Sequence, residues 1–435
     1  MARDLALGAG VRCVIYLDYQ ATTPLAPEAL DAMLPWLRDQ HANPHSAHAA
    51  GRKAKAAVEF AREQVAALLP AGGRVVFTSG ATEALNWAIK GTRGEMVTLA
   101  TEHAAVLDTV AAEAQRGRSA TIMPVDADGL VDLAAARTAI QPGTGLVAAM
   151  LVNNEIGVVQ PIAELAEAVH RVGALILCDA VQGYGRVAVP AECDLVAISA
   201  HKIHGPKGIG ALWVRDGVKL EPLLHGGDQE GGRSGTLSPA LCAGFGRAAA
   251  LMAERREADA AHVERLWVIA TERLGLTPPL PGREGSGVGR SAAASALSPH
   301  QPTPSPASGR SSPRDDLNHA GHGSPDALPG RGEWQLNGST PHRYHGNLNI
   351  RGDGLDVARL MSDLREIAFS AGSACASGSG RSSHVLRALG LSEAQARSSI
   401  RLGFGRYTTE AELTEAIDRI IAATEAQQSI GEIAA

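Results

Sequence analysis

Between about residues 74 and 215, short apolar runs alternate with longer amphipathic stretches. The runs are "RVVFTSG", "MVTLATEH", "GLVAAMLVNN", "ALILCDAVQ", "DLVAISAHK" and "IGALWV". This alternation is the βαβ pattern, and it predicts a mostly parallel sheet covered by helices. "ATEALNWAIKG" shows the helical period: Ala81, Ala84, Leu85, Ala88 and Ile89 recur at i, i+3, i+4 spacing, and Gly91 stands where a helix stops. An apolar helical stretch follows near 240 to 275. From 278 to 331 Pro, Gly, Ser, Ala and Arg dominate with almost no large apolar side chain, so that segment cannot bury enough surface to offset its ordering entropy and is expected to be a disordered insertion. Beyond it, "WQLNGS" and "HGNLNIRG" predict strands, and "GLDVARLMSDL", "SSHVLRALG" and "TTEAELTEAIDRIIAAT" predict helices. The expected fold is therefore α/β, with a large domain over residues 15–255 and a smaller α+β domain over 256–435. The insertion at 278–331 interrupts the smaller domain, which the N-terminal segment 1–14 is expected to join.

With 435 residues, 45% of them hydrophobic, the chain is long enough for an extensive core and two domains. Its net charge is −6 and both signs are mixed along the sequence, which argues against nucleic acid or a membrane surface as a partner. Cys13, Cys178, Cys193, Cys242 and Cys375 are odd in number and contain no C-x-x-C pair. Neither a disulfide framework nor a zinc site is indicated, and no metal is expected. A reducing compartment fits, and the absence of a signal-like N-terminus or a membrane-length apolar run leads to the expectation of a cytoplasmic protein. Of 40 basic residues only six are lysines, so a reaction that needs an amine has few candidates.

The most informative pattern is what ends each apolar run. Thr78, Ser79 and Gly80 close the first; Thr101, Glu102 and His103 the second; Asn153 and Asn154 the third; Asp179 the fourth; His201 and Lys202 the fifth. Ligands of open parallel sheets bind at the carboxyl ends of the strands, so these groups are expected to converge on one crevice. Together they suit pyridoxal phosphate, an electron sink held through a lysine Schiff base with an acidic partner for its ring nitrogen. "SGATEALNW" opens a helix directly after a strand and offers its free amide groups and the Thr82 hydroxyl to a phosphate. Asp179 at a strand end would need a positive partner such as a pyridinium nitrogen. Lys202 follows a strand directly, whereas Lys207 sits in a glycine-rich turn, which makes Lys202 the better Schiff-base lysine.

The stretches "YLDYQATTPL", "FTSGATEALNWAIKG", "TEHAAVLDT", "VNNEIGVVQPI", "CDAVQ", "SAHKIHGPKGIGAL", "HGGDQEGGRSGT", "SAGSACAS", "VLRALG" and "SSIRLGFGRYTTEAEL" run in one order from about residue 15 to 420. In them the chain resembles the IscS/NifS type of cysteine desulfurase, of the class V aminotransferase group, with the fold type I architecture of pyridoxal-phosphate enzymes. The resemblance implies that Lys202 carries the cofactor, Asp179 pairs with its ring nitrogen, Gln182 bonds its hydroxyl, and His103 stacks on the ring and acts in acid/base steps. It also implies that Ala81, Thr82, Ser199 and His201 hold the phosphate, with Thr236 reaching in from the other subunit of a homodimer. Asn154 would lie beside cofactor and substrate, and Arg401 would clamp the substrate carboxylate. The chain reads "SAHK" where the family has "SGHK", its "HGGDQEGGRSGT" loop is one residue shorter, and the insertion is atypical of the family.

Cys375, in the small-residue run "SAGSACASGSG", is by the same resemblance the nucleophile that takes sulfur from L-cysteine. A loop of Gly, Ser and Ala would let it approach the substrate and then carry a persulfide outward. The implied products are L-alanine and a persulfide for an acceptor such as an iron–sulfur scaffold or a tRNA-thiolation protein. The competing readings are a selenocysteine lyase or another class V enzyme on the same scaffold, and a catalytically silent sulfur carrier or scaffold. The thiol favours desulfuration over the first, and the combination of Lys202, Asp179, His103, Thr82 and Arg401 argues against the second.

Overall fold

The computed structural model describes residues 14–227, 229–276, 333–372 and 382–434. The expected insertion at 278–331, nearly all of segment 1–14 and the cysteine at 375 lie outside the described residues. In chain order the strands are β1 (Ile15–Tyr16), β2 (Gly73–Thr78), β3 (Glu95–Leu99), β4 (Ala120–Met123), β5 (Thr144–Met150), β6 (Leu175–Asp179), β7 (Leu195–Ser199) and β8 (Gly210–Arg215). Five more follow: β9 (Trp334–Leu336), β10 (Asn347–Gly352), β11 (Ile367–Ala368), β12 (Ser370–Ala371) and β13 (Ser399–Gly403).

β2 to β8 form a seven-stranded sheet in the order β2-β8-β7-β6-β5-β3-β4. β8 runs antiparallel to both β2 and β7, and every other neighbouring pair is parallel. Successive side chains on a strand point to opposite faces, and both faces of this sheet are covered. Val75, Phe77, Ile176, Cys178, Val196 and Ile198 enter one core. Val76, Leu177, Leu195, Ala197 and Leu212 enter the other. The first face packs against α1 (Pro27–Arg38), α2 (Ala49–Ala66), α5 (Leu133–Ala139), α6 (Ile162–Arg171) and α7 (Pro239–Glu254). The second face packs against α3 (Ala81–Gly91) and α4 (Ala104–Gln115) on the other side. Two-sided burial is why these strands read as unbroken apolar runs.

A second core gathers around a four-stranded antiparallel sheet, β12-β13-β10-β9. Leu348, Ile350, Ile400 and Leu402 of that sheet pack against Leu266 and Trp267 of α8 (Arg256–Arg273) and Leu413, Ile417 and Ile420 of the last helix. That helix, α12 (Glu410–Ala434), follows the short α9 (Val357–Asp363), α10 (His384–Ala388) and α11 (Glu393–Arg397). β1 pairs in parallel with β11, and Ile15 and Leu17 belong to this second core. The chain then leaves it to lie across the carboxyl end of the large sheet, where Thr23 N–H donates to the His201 carbonyl at 2.9 Å.

Three details differ from the sequence reading. The stretch at 240–275 is two helices, α7 and α8, with Arg255 between them out of helical conformation. β4 has no apolar run in the sequence because three of its four residues are exposed at the sheet edge. β13 was legible as a motif and not as a strand, although all five of its residues are buried.

The loop before Thr236 is pinned to the large sheet by two ion pairs. Arg62 of α2 grips Glu230 through two contacts of 2.7 Å, and Glu230, 3% exposed at its side chain, also accepts from Phe77 N–H at 2.8 Å. Arg233 bonds both carboxylate oxygens of Glu83, at 2.8 and 3.1 Å. Removing one partner of a buried pair strands the other charge. Arg62→Met should therefore lower unfolding free energy by about 3 kcal/mol, read as a fall in the urea midpoint with an unchanged slope.

Candidate active site

Most of the residues that close the apolar runs do meet, whereas Thr78, Thr101, Glu102 and Asn153 lie outside the cavity lining. A cavity of about 610 Å³ at the carboxyl end of the large sheet is lined by Ser79 to Thr82, His103, Asn154, Asp179, Gln182, Ser199, His201, Lys202 and Arg401, together with Gln20, Ala21 and Thr22 from the N-terminal strap. Its volume lies within the range of about 300–1,000 Å³ usual for small-molecule sites. A second cavity of about 260 Å³, lined by Tyr19, Arg186, Arg343 and Arg406 among others, contains none of the groups picked out from the sequence.

Lys202 is presented by the 3₁₀ turn Ala200–Lys202 that follows β7. The chain then reverses at His204, whose φ of 67° is the only positive value outside glycine among the described residues. That strained conformation is held by Thr23 Oγ1, which accepts the His204 N–H at 2.7 Å, and by edge-on packing of the ring against Tyr407. The Lys202 amine donates to the carbonyls of Gln20 and Ala21, the latter at 2.9 Å. Burial lowers its pKa to about 8, with Arg401 and Arg186 adding to the effect. The competing lysine, Lys207, is exposed and stands at the cavity edge.

Asp179 is the last residue of β6 and is 3% exposed. Its Oδ1 accepts from Val181 N–H at 3.0 Å. Burial pushes its pKa up, against the pull of that amide, His103 and Lys202. His103 caps α4: its Nδ1 accepts from Ala105 N–H at 3.0 Å, which places the proton of the neutral ring on Nε2. Burial lowers its pKa, opposed by Asp179, so the neutral form is favoured. α3 opens on the cavity at Ala81 and Thr82, where first-turn amides have no partner within the helix. His201 Nδ1 lies 3.2 Å from Thr22 Oγ1, and burial together with Lys202 and Lys207 takes its pKa down to about 4. Gln182 donates to the Gln20 carbonyl at 2.9 Å.

Arg401 comes from β13, in the second sheet, and is 1% exposed. It bonds the Asn154 carbonyl at 3.0 Å, which ties the second core to the loop after β5. Thr236 is exposed and does not line the cavity of this chain.

The model of the class-V aminotransferase family matches residues 15–280. A probable mitochondrial cysteine desulfurase of Schizosaccharomyces pombe is 40% identical over 93% of this chain and 73% of its own length. The chain belongs to the cysteine desulfurases of this family. The cysteine desulfurase IscS of Rickettsia bellii is 38% identical over 93% of the chain and 90% of its own length. A solved NifS-like protein superposes with a TM-score of 0.74 at 28% identity, covering 94% of this chain and 99% of that one. The fold type I architecture expected of the family is thereby confirmed.

Enzymes of this family use pyridoxal phosphate, and the desulfurase site fits that group on its own geometry. A buried carboxylate with one amide partner, an amine whose pKa has fallen to about 8 and an open helix start surround one cavity. Those are the complements of a ring cation, an aldehyde and a phosphate.

Two sets of residues escaped the sequence reading. Gln20, Ala21 and Thr22 lie in "YQATTP", which ends no long apolar run, yet their carbonyls and hydroxyl hold Lys202, Gln182 and His201. In the sequence Glu102 marks only a strand end. It is 0% exposed, its Oε1 accepts from Met150 N–H at 2.7 Å, and burial, then Asp179, drives its pKa well up.

The lowered lysine makes a prediction for the cofactor-free protein. An aldehyde or other amine-directed reagent attacks the neutral amine, so labelling of Lys202 should rise with pH around a midpoint near 8, about two units below an ordinary lysine. Peptide mapping across a pH series reads the midpoint. Asp179 favours the charged amine, so Asp179→Asn should move the midpoint lower still.

Proposed function

We propose that this desulfurase takes sulfur from L-cysteine onto Cys375, releases L-alanine, and passes the persulfide sulfur to an acceptor protein of iron–sulfur assembly or tRNA thiolation. The convergence of Lys202, Asp179, His103 and Arg401 on one cavity carries this reading. In it, pyridoxal phosphate supplies the electron sink that labilises the substrate's Cα–H and Cβ–S bonds.

The chain's own residues do the rest. Lys202 would be the attachment point, and its neutral amine would take the proton from the substrate Cα. Its lowered pKa suits both tasks, because a neutral amine is needed each time. Asp179 would hold the positive ring nitrogen and Gln182 the ring hydroxyl. Ala81, Thr82, Ser199 and His201 surround the phosphate. In the open cavity, burial, Lys202 and Lys207 keep His201 neutral, so it would meet the phosphate first as a hydrogen-bond partner. Asn154 and Arg401 face the substrate, the guanidinium toward its carboxylate.

Cys375 attacks the substrate Sγ as a thiolate. An S–S bond forms, the Cβ–S bond breaks, and its electron pair stays with the carbon fragment, which takes up a proton and leaves as L-alanine. His103 would lie against the ring, with Nε2–H as a hydrogen-bond donor; Nδ1, the basic nitrogen of the neutral ring, is engaged by Ala105 N–H and must gain a proton before the imidazole can pass one on. To act as base for the thiol it would have to release that amide. Thr236, exposed and away from its own cavity, is suited to reach the phosphate of a second subunit in a homodimer. Cys178, Cys193 and Cys242 are free and buried, which agrees with work in a reducing compartment such as the cytoplasm.

Purified protein incubated with L-cysteine should yield alanine and, with a thiol reductant, sulfide in equal amounts. Cys375→Ala should abolish both while leaving the yellow, borohydride-sensitive colour in place; unchanged alanine production by that variant would sink the persulfide route. His103→Ala should slow turnover by about 10²-fold or more, with the cofactor still bound.

A further inference from the structure

Arg401 is already occupied. Its Nη2 donates to Asp18 Oδ1 at 2.7 Å and to Ser370 Oγ at 3.2 Å, and its Nη1 donates to the Asn154 carbonyl at 3.0 Å. Its Nε is buried without a hydrogen-bond partner. Ser370 Oγ in turn donates to the same Asp18 oxygen at 2.9 Å. The guanidinium side chain is 1% exposed and that of Asp18 is 19% exposed.

An arginine grips a carboxylate with two adjacent N–H groups. Here Nη2 is committed to a carboxylate, Nη1 has a carbonyl, and Nε is shut away from solvent. No adjacent pair of donors remains open to the cavity. An incoming carboxylate that merely joined Asp18 would set two anions against one desolvated cation, which like-charge repulsion opposes. Asp18 is the group that can yield. It is partly exposed, so water can take up its charge, and the Ser370 hydroxyl stays in reach to bind it. It also belongs to the same strap as Gln20 and Ala21, whose carbonyls hold the Lys202 amine. The strap's contacts with Arg401 and with Lys202 are thus of a kind that substrate chemistry replaces.

We propose that Asp18 is an internal stand-in for the substrate carboxylate: it neutralises Arg401 in the resting enzyme and is exchanged for the carboxylate of the incoming amino acid. Asp18 is a positioning residue in this scheme, and the inference rests on the reading of Arg401 as the carboxylate clamp. The exchange lowers apparent affinity, because only the fraction of enzyme with Arg401 released is ready to bind. It also keeps a buried cation from being left bare between turnovers.

The test is calorimetric titration of the pyridoxal-phosphate holoenzyme with L-alanine. Asp18→Asn keeps the shape and removes the competing charge. It should bind L-alanine about tenfold tighter than wild type, lower the KM for L-cysteine with little change in kcat, and melt at a lower temperature unless L-alanine is present. Asp18→Ser repeats the measurement should the asparagine variant fold poorly. L-alanine affinity equal to or weaker than wild type in both variants would show Asp18 to be a fixed structural partner and overturn the exchange. Arg401→Gln separates the two readings: it should lose L-alanine binding, and wild-type binding there would remove the clamp itself, whatever Asp18 does.

Discussion

A charge problem at the end of the large sheet governs the rest of the structure. Lys202 and Asp179 face one crevice that is dry enough to lower the amine's pKa to about 8 and to raise that of the carboxylate. The resting amine bonds to backbone carbonyls of the strap, and the carboxylate accepts from an amide. Each group is held by neutral dipoles, so the crevice keeps two reactive ends apart and partly desolvated. A flat cofactor with an aldehyde on one side and a protonated nitrogen on the other relieves both at once. The same dehydration keeps His103 and His201 neutral, so the imidazoles around the crevice add hydrogen bonds without adding charge.

The crevice needs both packing layers. Strands buried on both faces can carry polar chemistry only where they stop, and β6 and β7 stop at Asp179 and Ser199. The substrate-facing arginine comes instead from β13, whose Ile400 and Leu402 are rooted in the second core while Arg401 points the other way across the pleat. The N-terminal strap links the two, with Ile15 and Leu17 in the second core and Gln20 to Thr22 over the first sheet's end. The contacts Arg401–Asn154 and Lys202–Ala21 therefore couple the packing of one core to the chemistry of the other.

Much of this was legible in the sequence, for reasons that lie in the pattern. The βαβ alternation marked the six apolar runs, and those runs cover β2, β3, β5, β6, β7 and β8 to within one residue at an end. The rule that ligands sit at strand ends then placed His103, Asn154, Asp179, His201 and Lys202 together before any geometry was known. What escaped has equally physical causes. Strap residues Gln20 to Thr22 act largely through backbone carbonyls, which every residue possesses, so side-chain identity gives no signal. β4 is an edge strand whose outward residues blur the apolar run. The ion pair of Asp18 with Arg401 joins positions 383 residues apart, and no local pattern reports such a contact.

Glu102 and Asp179 show how two neighbouring buried carboxylates are pushed differently by their surroundings. It follows β3 as His103 does, lies wholly buried, and uses Oε1 to hold the amide of Met150, the residue paired with Asp179 in the sheet register. Its Oε2 has no hydrogen-bond partner. An ionised group in that position would face both desolvation and the neighbouring Asp179, and its pKa is driven well up by those two causes in that order. Asp179 has the opposing help of an amide, His103 and Lys202. When two acids share a dry pocket, the better-solvated one ionises and the other keeps its proton. Burial and Asp179 thus favour the protonated form of Glu102, which fixes the loop that ends in His103, while the amide, His103 and Lys202 favour the charged form of Asp179.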